Sequence, residues 1–198
     1  MVPRDVLKRM GELGFFGIHY PEAFGGSELD TIATMVLSEE MGRSTFGGFA
    51  ITVLVHTDMA SPHLVNAGND EQKARFLEKV VSGELITAVG VTEPDAGSDV
   101  AAIRARATRT DGGWVLNGTK MFITNGVHGD LYFIAAKSGE PEGGSRSREV
   151  TMFIVEKGTE GFSVGRTLDK MGWHSSDTAE LVFENCFVPN ANILGEVH

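Results

Sequence analysis

The sequence predicts an α+β fold in which a helical part, residues 1–84, precedes an antiparallel β-domain, residues 85–198. Apolar residues recur at helical spacing up to about residue 84, and short β-rich runs follow from there. Between those runs lie turn pairs such as Asp111-Gly112 and Asn117-Gly118, which are typical of β-hairpins. The change of period therefore divides the chain into a helical part and a β-domain.

Three helices stand out in the first part. Their apolar positions are Val6, Leu7, Met10 and Leu13 in the first, Ile32, Met35 and Val36 in the second, and Phe76, Leu77, Val80 and Val81 in the third. Asp30 is the predicted N-cap of the second helix, and either Asn69 or Asp70 caps the third. The third helix is expected to end at Gly83.

Six runs predict the strands of the β-domain: LITAVGV, AIRARATRT, WVLNGTKMFIT, LYFIAAK, VTMFIVEK and AELVFENCFV. Between the fourth and the fifth run, the segment from Ser138 to Glu149 is polar and rich in glycine. We expect it to be an exposed loop, because it has almost no apolar side chain to bury.

Composition excludes several classes of function. A formal net charge of −10 disfavours nucleic acid as a partner, and no apolar run approaches the length of a membrane span, about 20 residues. The single cysteine, Cys186, excludes an internal disulfide and fits a reducing compartment. The opening residues contain no apolar signal core. We therefore expect a cytoplasmic location, or the mitochondrial matrix in a eukaryote.

The stretch GVTEPDAGSD, Gly90 to Asp99, follows a predicted strand and combines small residues with the hydroxyls of Thr92 and Ser98. A turn of this kind can hold a phosphate on its backbone N–H groups. The alternative is an ordinary surface turn in which Asp and Ser cap their own backbone. Neither common glycine-rich nucleotide motif occurs in the chain, so local chemistry leaves both interpretations open.

Two further groups of residues invite interpretation. His56, Asp58 and His63 are close in sequence, but their spacing matches no common ligand pattern, and we predict no metal site. The stretch MFITN, Met121 to Asn125, is typical by itself of a strand whose aromatic side chains alternate into the core.

Four motifs resemble those of the acyl-CoA dehydrogenases, and they occur in that family's order over nearly the whole chain. They are LGFFGIHYPEAFGGSELD, GVTEPDAGSDVAA, NGTKMFITNG and LDKMGWHSSDTAELVFENCFVPNANILGE. The resemblance implies helices followed by a β-domain of two packed, barrel-like sheets. It also implies a C-terminal helical bundle that this chain lacks, so we expect an expressed fragment or a truncated gene product.

The resemblance implies FAD as the cofactor. Thr92 would hydrogen-bond the flavin ring, and Ser98 would reach the FAD phosphate. Thr124 would lie at flavin N5, and the ring of Phe122 would pack against the isoalloxazine. Some family members carry Trp where this chain has Phe122. The full set of implied cofactor residues is Val89, Val91, Thr92, Gly97, Ser98, Phe122, Ile123 and Thr124.

The implied reaction is α,β-dehydrogenation of an acyl-CoA thioester, with electrons passed to an electron-transferring flavoprotein. Ser98 would contact the substrate, and so would Ser147 and Arg148, for which an ordinary solvated loop is an equally open interpretation. The catalytic base is expected beyond His198, so no residue of this chain is predicted to be catalytic, and Glu93, Asp95 and Asp99 are expected to be turn or capping groups. The family also implies a homo-oligomer, a tetramer at full length.

Two alternatives remain open. A flavin oxidase of the same superfamily would share every motif of this chain and give its electrons to oxygen. A non-catalytic module that binds FAD and acyl-CoA would also fit, because the chain supplies no base. The sequence does not predict the length or branching of the acyl group.

Overall fold

A computed structural model describes residues 2–139 and 150–197 of the chain. The described residues form five α-helices: α1 Arg4–Glu12, α2 Thr31–Gly42, α3 Gly47–Leu54, α4 Ser61–Ala67 and α5 Asp70–Val81. A π-helical segment, Val55–Ala60, joins α3 to α4. Eight strands follow: β1 Thr87–Gly90, β2 Arg106–Thr110, β3 Gly113–Thr124, β4 Leu131–Lys137, β5 Val150–Glu156, β6 Phe162–Thr167, β7 Thr178–Pro189 and β8 Ile193–Leu194.

Two helices begin at the caps that the sequence predicts. The Asp30 carboxylate accepts hydrogen bonds from the N–H groups of Ile32 and Ala33 at 3.0 and 3.2 Å. Asn69, rather than Asp70, caps α5 in a reciprocal pair with Gln72. These bonds satisfy backbone donors that the first turn of a helix leaves without a partner.

The strands form one hydrogen-bonded sheet in the order β6-β7-β3-β2-β4-β5-β8, and β1 pairs with β4 outside this path. The α+β class is confirmed. The sheet is mixed rather than purely antiparallel, however, because β1 and β2 both run parallel to β4. It is a single sheet that does not close into a barrel, since β6 and β8 end its path and do not pair with each other among the described residues.

The helical part packs directly on the sheet. A buried cluster joins Leu64 of α4 and Leu77 of α5 to Phe133 of β4 and Ile154 of β5. A second cluster lies within the β-domain and includes Trp114 and Phe153. Strand β1 is therefore held between helices and sheet, and it delivers the chain to the turn that begins at Val91.

The predicted loop between β4 and β5 is described only at its start. Ser138 is half-buried, and its hydroxyl lies 2.7 Å from that of Thr151, while residues 140–149 lie outside the described residues. Among the residues that the structure describes, no helix is both long enough and apolar enough to cross a bilayer.

Candidate functional site

The pairing of β3 with β7 is interrupted at Phe122. Its register shifts between Lys120 and Ile123, and Phe122 has a φ of 60°. A bulge of this kind turns a side chain away from the face it would otherwise occupy. The Phe122 ring is 63% exposed, whereas Ile123 is buried. Phe122 is therefore not the core aromatic that simple alternation along the strand would give.

The turn after β1 lies against β3 although the two are distant in sequence. The N–H of Met121 donates to the carbonyl of Thr92 at 2.8 Å. Lys120 Nζ donates to the carbonyl of Val91 at 3.1 Å. The two segments that the family resemblance assigns to the flavin are thus joined at the residues next to Phe122.

The turn itself is closed by two backbone hydrogen bonds. The N–H of Glu93 donates to the carbonyl of Ala96 at 2.7 Å, and the reverse bond is 3.2 Å long. Gly97 and Ser98 follow on the surface. A Cβ atom added at Gly97 would meet no atom within 4 Å, so the space beside this residue is open.

Three hydroxyls on these segments are available to a ligand. Within residues 2–139 and 150–197, the side chains of Thr92, Ser98 and Thr124 make no hydrogen bond. Thr92 and Thr124 are half-buried and Ser98 is exposed. A hydroxyl both donates and accepts, which suits the mixed donors and acceptors of a flavin ring and the oxygens of a pyrophosphate. These groups, with the exposed ring of Phe122, fit FAD.

Two acidic side chains of the turn, Glu93 and Asp95, have partners within the protein. Glu93 Oε1 accepts from Lys120 Nζ at 2.7 Å and from the N–H of Ala105 at 2.9 Å, and Oε2 accepts from the N–H of Arg104. Asp95 pairs with the Arg104 guanidinium at 3.0 Å. Each of these carboxylates has a cationic partner that offsets its charge, and Glu93 caps backbone N–H groups as expected. Asp99, the third acid of the turn, is exposed, and its side chain makes no capping hydrogen bond among the described residues.

The Glu93–Lys120 ion pair is buried, with side-chain exposures of 5% and 0%. Burial raises the pKa of Glu93, but the hydrogen bonds from Lys120, Arg104 and Ala105 and the Lys120 charge outweigh it, so the pKa is lowered overall. Burial lowers the pKa of Lys120, and Glu93 opposes this shift in part. Because every group that contacts the carboxylate is a donor, the ionised pair is the favoured state. Nothing in the sequence marks Lys120, a lysine in the middle of β3, as part of such a pair.

The apolar residues of the implied cofactor set have packed side chains. Val89 packs against the cluster between helices and sheet, Val91 packs near Ala96, and Ile123 belongs to the β-domain core. Their side chains face away from solvent in whole or in part. Ile123 could therefore reach a cofactor only through its backbone, whereas the partly exposed Val89 and Val91 could also offer side-chain atoms.

The remaining candidates fall outside this arrangement. Ser147 and Arg148 lie outside the described residues, so their predicted contact with substrate stays a prediction. Among the described residues, no group of three or more His, Cys, Asp or Glu side chains could hold a metal ion. Trp173 is 59% exposed with a φ of 56°, unlike the buried Trp114. Its position beside Gly47 gave no signal in the sequence.

Comparison with known proteins agrees with these motifs. The model of the acyl-CoA dehydrogenase N-terminal domain matches residues 1–84, and that of the middle domain matches residues 88–186. Isovaleryl-CoA dehydrogenase of Solanum tuberosum is 43% identical over 197 residues, which are 98% of this chain and 47% of that protein.

Solved structures extend the comparison to the fold. The crystal structure of an acyl-CoA dehydrogenase from Geobacillus kaustophilus superimposes with a TM-score of 0.93 at 39% identity, covering 100% of this chain and 51% of that one. The FAD complex of PigA gives 0.92 at 33% identity, covering 99% and 51%. The chain spans about half the length of the relatives it matches. It belongs to the acyl-CoA dehydrogenase family and corresponds to that family's N-terminal and middle domains.

Proposed function

We propose that the protein to which this chain belongs catalyses FAD-dependent α,β-dehydrogenation of an acyl-CoA thioester. The hydrogen bond from Met121 N–H to the Thr92 carbonyl is the observation that carries the proposal. It joins a turn with free hydroxyls to a strand that exposes an aromatic ring. Family membership supplies the reaction class, and relatives named for isovaleryl-CoA and long-chain acyl-CoA leave the acyl group open.

FAD, when bound, supplies the site that accepts hydride from the β-carbon. The residues of this chain bind and orient it. Thr92 and Thr124 are proposed to hydrogen-bond the ring, Ser98 the pyrophosphate and the thioester arm, and Phe122 to cover one ring face. Backbone groups of Val89, Val91, Gly97 and Ile123 complete the proposed contacts. Ser98, Ser147 and Arg148 are proposed to contact acyl-CoA.

We assign the α-proton to no group of this turn. Glu93, the nearest acid in sequence to Thr92, is held by three donors and is unavailable as a base. The proposed base is a carboxylate from outside residues 1–198, and the proposed electron acceptor is an electron-transferring flavoprotein. A homo-oligomer in the cytoplasm or mitochondrial matrix completes the proposal.

The cofactor is tested by titrating the 198-residue chain with FAD and following the quenching of flavin fluorescence. We expect Thr92→Val to weaken binding about tenfold, because a hydrogen bond to a polar ligand group is lost. Thr110→Val is the matched control, since Thr110 is exposed at the end of β2 that pairs with Gly113, at the opposite end of β3 from Thr124. Equal effects of the two substitutions would contradict the assignment of Thr92.

The reaction is tested by adding isovaleryl-CoA anaerobically and following flavin absorbance. The chain alone should bleach slowly, because a missing general base removes about 10²–10⁴-fold in rate. A chimera with the C-terminal half of the potato isovaleryl-CoA dehydrogenase should bleach rapidly. Rapid bleaching by the chain alone would place a base within residues 1–198 and would contradict a base from outside them. Reoxidation in air then separates a dehydrogenase from an oxidase.

A further inference from the structure

One buried ion pair fixes the turn before the proposed flavin site at both of its ends. The Glu93 carboxylate accepts the N–H groups of Arg104 and Ala105, which closes a loop of residues 93–105. Ser98 lies near the middle of this loop. The same carboxylate accepts from Lys120 on β3, so the closed loop is attached to the strand at that point.

Lys120 also fixes the other side of Thr92. Its Nζ donates to the carbonyl of Val91 as well as to Glu93, one residue before and one residue after Thr92. The carbonyl of Thr92 itself accepts from Met121. Three consecutive residues of the turn are therefore bonded to two consecutive residues of β3, immediately before Phe122.

Stability alone gives a poor reason for this arrangement. Desolvating two charges offsets most of their attraction, and a buried ion pair is often replaced by neutral groups of similar volume with little loss of stability. Such a pair does restrict geometry. The ammonium and the carboxylate make one hydrogen bond to each other and three to the backbone, and few other arrangements would keep all four.

We propose that Glu93 and Lys120 are positioning residues that set the placement of Thr92 and Ser98 relative to Phe122 and Thr124. The inference rests on the proposed function, since it concerns the flavin site. Neither side chain needs to touch the cofactor. The ion pair acts through the loop it closes and the strand it joins.

The test is the double variant Glu93→Gln/Lys120→Met, which removes both charges and keeps both side chains near their original size. We measure its melting temperature, the amide hydrogen exchange of residues 92–105 without FAD, and the dissociation constant for FAD. We expect the amides to exchange at least about tenfold faster and FAD to bind about tenfold more weakly. The melting temperature should fall by several degrees, because the Gln amide nitrogen faces a backbone N–H and the Val91 carbonyl loses its donor.

The matched control is Asp95→Asn/Arg104→Gln, which removes an ion pair from the same loop. Its side chains are 64% and 76% exposed, and exposed pairs contribute little, so we expect neither exchange nor affinity to change. A double variant at Glu93 and Lys120 with unaltered exchange and FAD affinity overturns the proposal, as does a control with an equally large effect.

If the double variant does not fold, Glu93→Asp decides, because it keeps the charge opposite Lys120 but is one methylene too short to hold Lys120 and the N–H groups of Arg104 and Ala105 together, and it is held to the same two measurements. If neither the unaltered chain nor the chimera binds FAD, the proposed function fails, whereas the exchange of residues 92–105 still decides whether the ion pair positions the loop.

Discussion

Phe122 has a backbone conformation that a phenylalanine adopts at a cost of about 1–3 kcal/mol, with φ at 60°. The strand pairing on both sides of the bulge holds it there. The result is a large ring that is 63% exposed in a strand whose next residue is buried. Strain of this kind is commonly found at ligand sites, where it directs a group toward the ligand.

We therefore expect Phe122→Ala to affect cofactor binding more than stability. The loss of a stacked ring should weaken FAD binding about threefold to tenfold, while the free energy of unfolding should change by about 0.5 kcal/mol or less. Fluorescence titration and urea denaturation measure the two effects. Trp114→Ala, at a buried position, should do the reverse and destabilise the fold by about 3–5 kcal/mol. A strongly destabilised Phe122→Ala protein with normal FAD affinity would contradict this assignment.

We expect His56 to make the fold sensitive to mild acid. The ring is buried, Nδ1 accepts from the N–H of Thr87 at 3.0 Å, and Nε2 lies 3.1 Å from the carbonyl of Val80, to which it donates. Burial lowers the pKa of His56 from 6.5 to about 4. The imidazole is therefore neutral in the folded protein at a pH where the unfolded chain is already protonated.

Stability should accordingly be constant above pH 6.5 and fall as the pH drops from 6.5 toward 4, by about 3 kcal/mol in all. Urea denaturation at pH 7, 5.5 and 4.5 measures this. Glu93 acts in a lower window, because its pKa is lowered from 4.5 and its contribution is lost only below that value. His56→Gln should be less stable at pH 7 but lose most of the slope between pH 6.5 and 4.5. A slope that His56→Gln retains would mean that another group is responsible.

At the scale of elements, the N-terminus of α3 packs against the loop that carries Trp173. A Cβ atom at Gly48 would lie 2.4 Å from Ser175 Oγ and 2.6 Å from the backbone nitrogen of Ser176. Backbone atoms cannot move aside as a flexible side chain can. Gly48 is therefore required by the close approach of helix and loop.

We expect Gly48→Ala to destabilise the protein by about 1–3 kcal/mol through overpacking. Tryptophan fluorescence should also change, because the displaced loop carries Trp173. Gly42→Ala is the control: a Cβ there meets no atom within 4 Å, and alanine favours the end of α2 by up to about 1 kcal/mol. Urea denaturation followed by fluorescence measures both. The packing argument fails if the two variants are equally stable.

Local signals in the sequence predicted local structure well. The caps Asp30 and Asn69 were predictable because each acts on N–H groups two or three residues away. Which strands would pair was not predictable from the same signals. Strands β1 and β2 both pair with β4 in parallel, and nothing within either run marks its partner or direction.

The candidate site shows the same division. Thr92, Ser98, Phe122 and Thr124 came from motifs, whereas Lys120 did not. Its partner Glu93 lies 27 residues away, and only the fold brings the two charges together. The sequence favoured packing within the β-domain for Trp173, which was wrong: it is 59% exposed and lies beside Gly47 of α3, a contact that no local pattern marks.

For the molecule as a whole, the outer face of α2 is apolar and exposed. Ile32, Met35 and Val36 are 67%, 65% and 53% exposed, and their spacing places them on one side of the helix. The helical spacing of these three apolar residues predicted the helix correctly. Among the described residues, however, no other element covers them. Leu37 and Met41 face the core instead.

We expect this face to cause the 198-residue chain to self-associate, because contiguous exposed apolar surface favours association. The net charge of −10 opposes association. Association should therefore strengthen as the salt concentration rises from 0.1 M to 1 M, because the Debye length falls from about 10 Å to about 3 Å and the charges are screened. Sedimentation velocity at both salt concentrations measures the shift.

Ile32→Gln/Met35→Gln removes apolar surface without altering charge and should keep the chain monomeric at 1 M salt with an unchanged melting temperature. Glu71→Gln/Lys79→Gln is a control that leaves both this face and the net charge unchanged, and it should associate as strongly as the unaltered chain. Association that weakens with salt, or that persists in the Ile32 and Met35 variant, would show that charge or another surface brings the chains together.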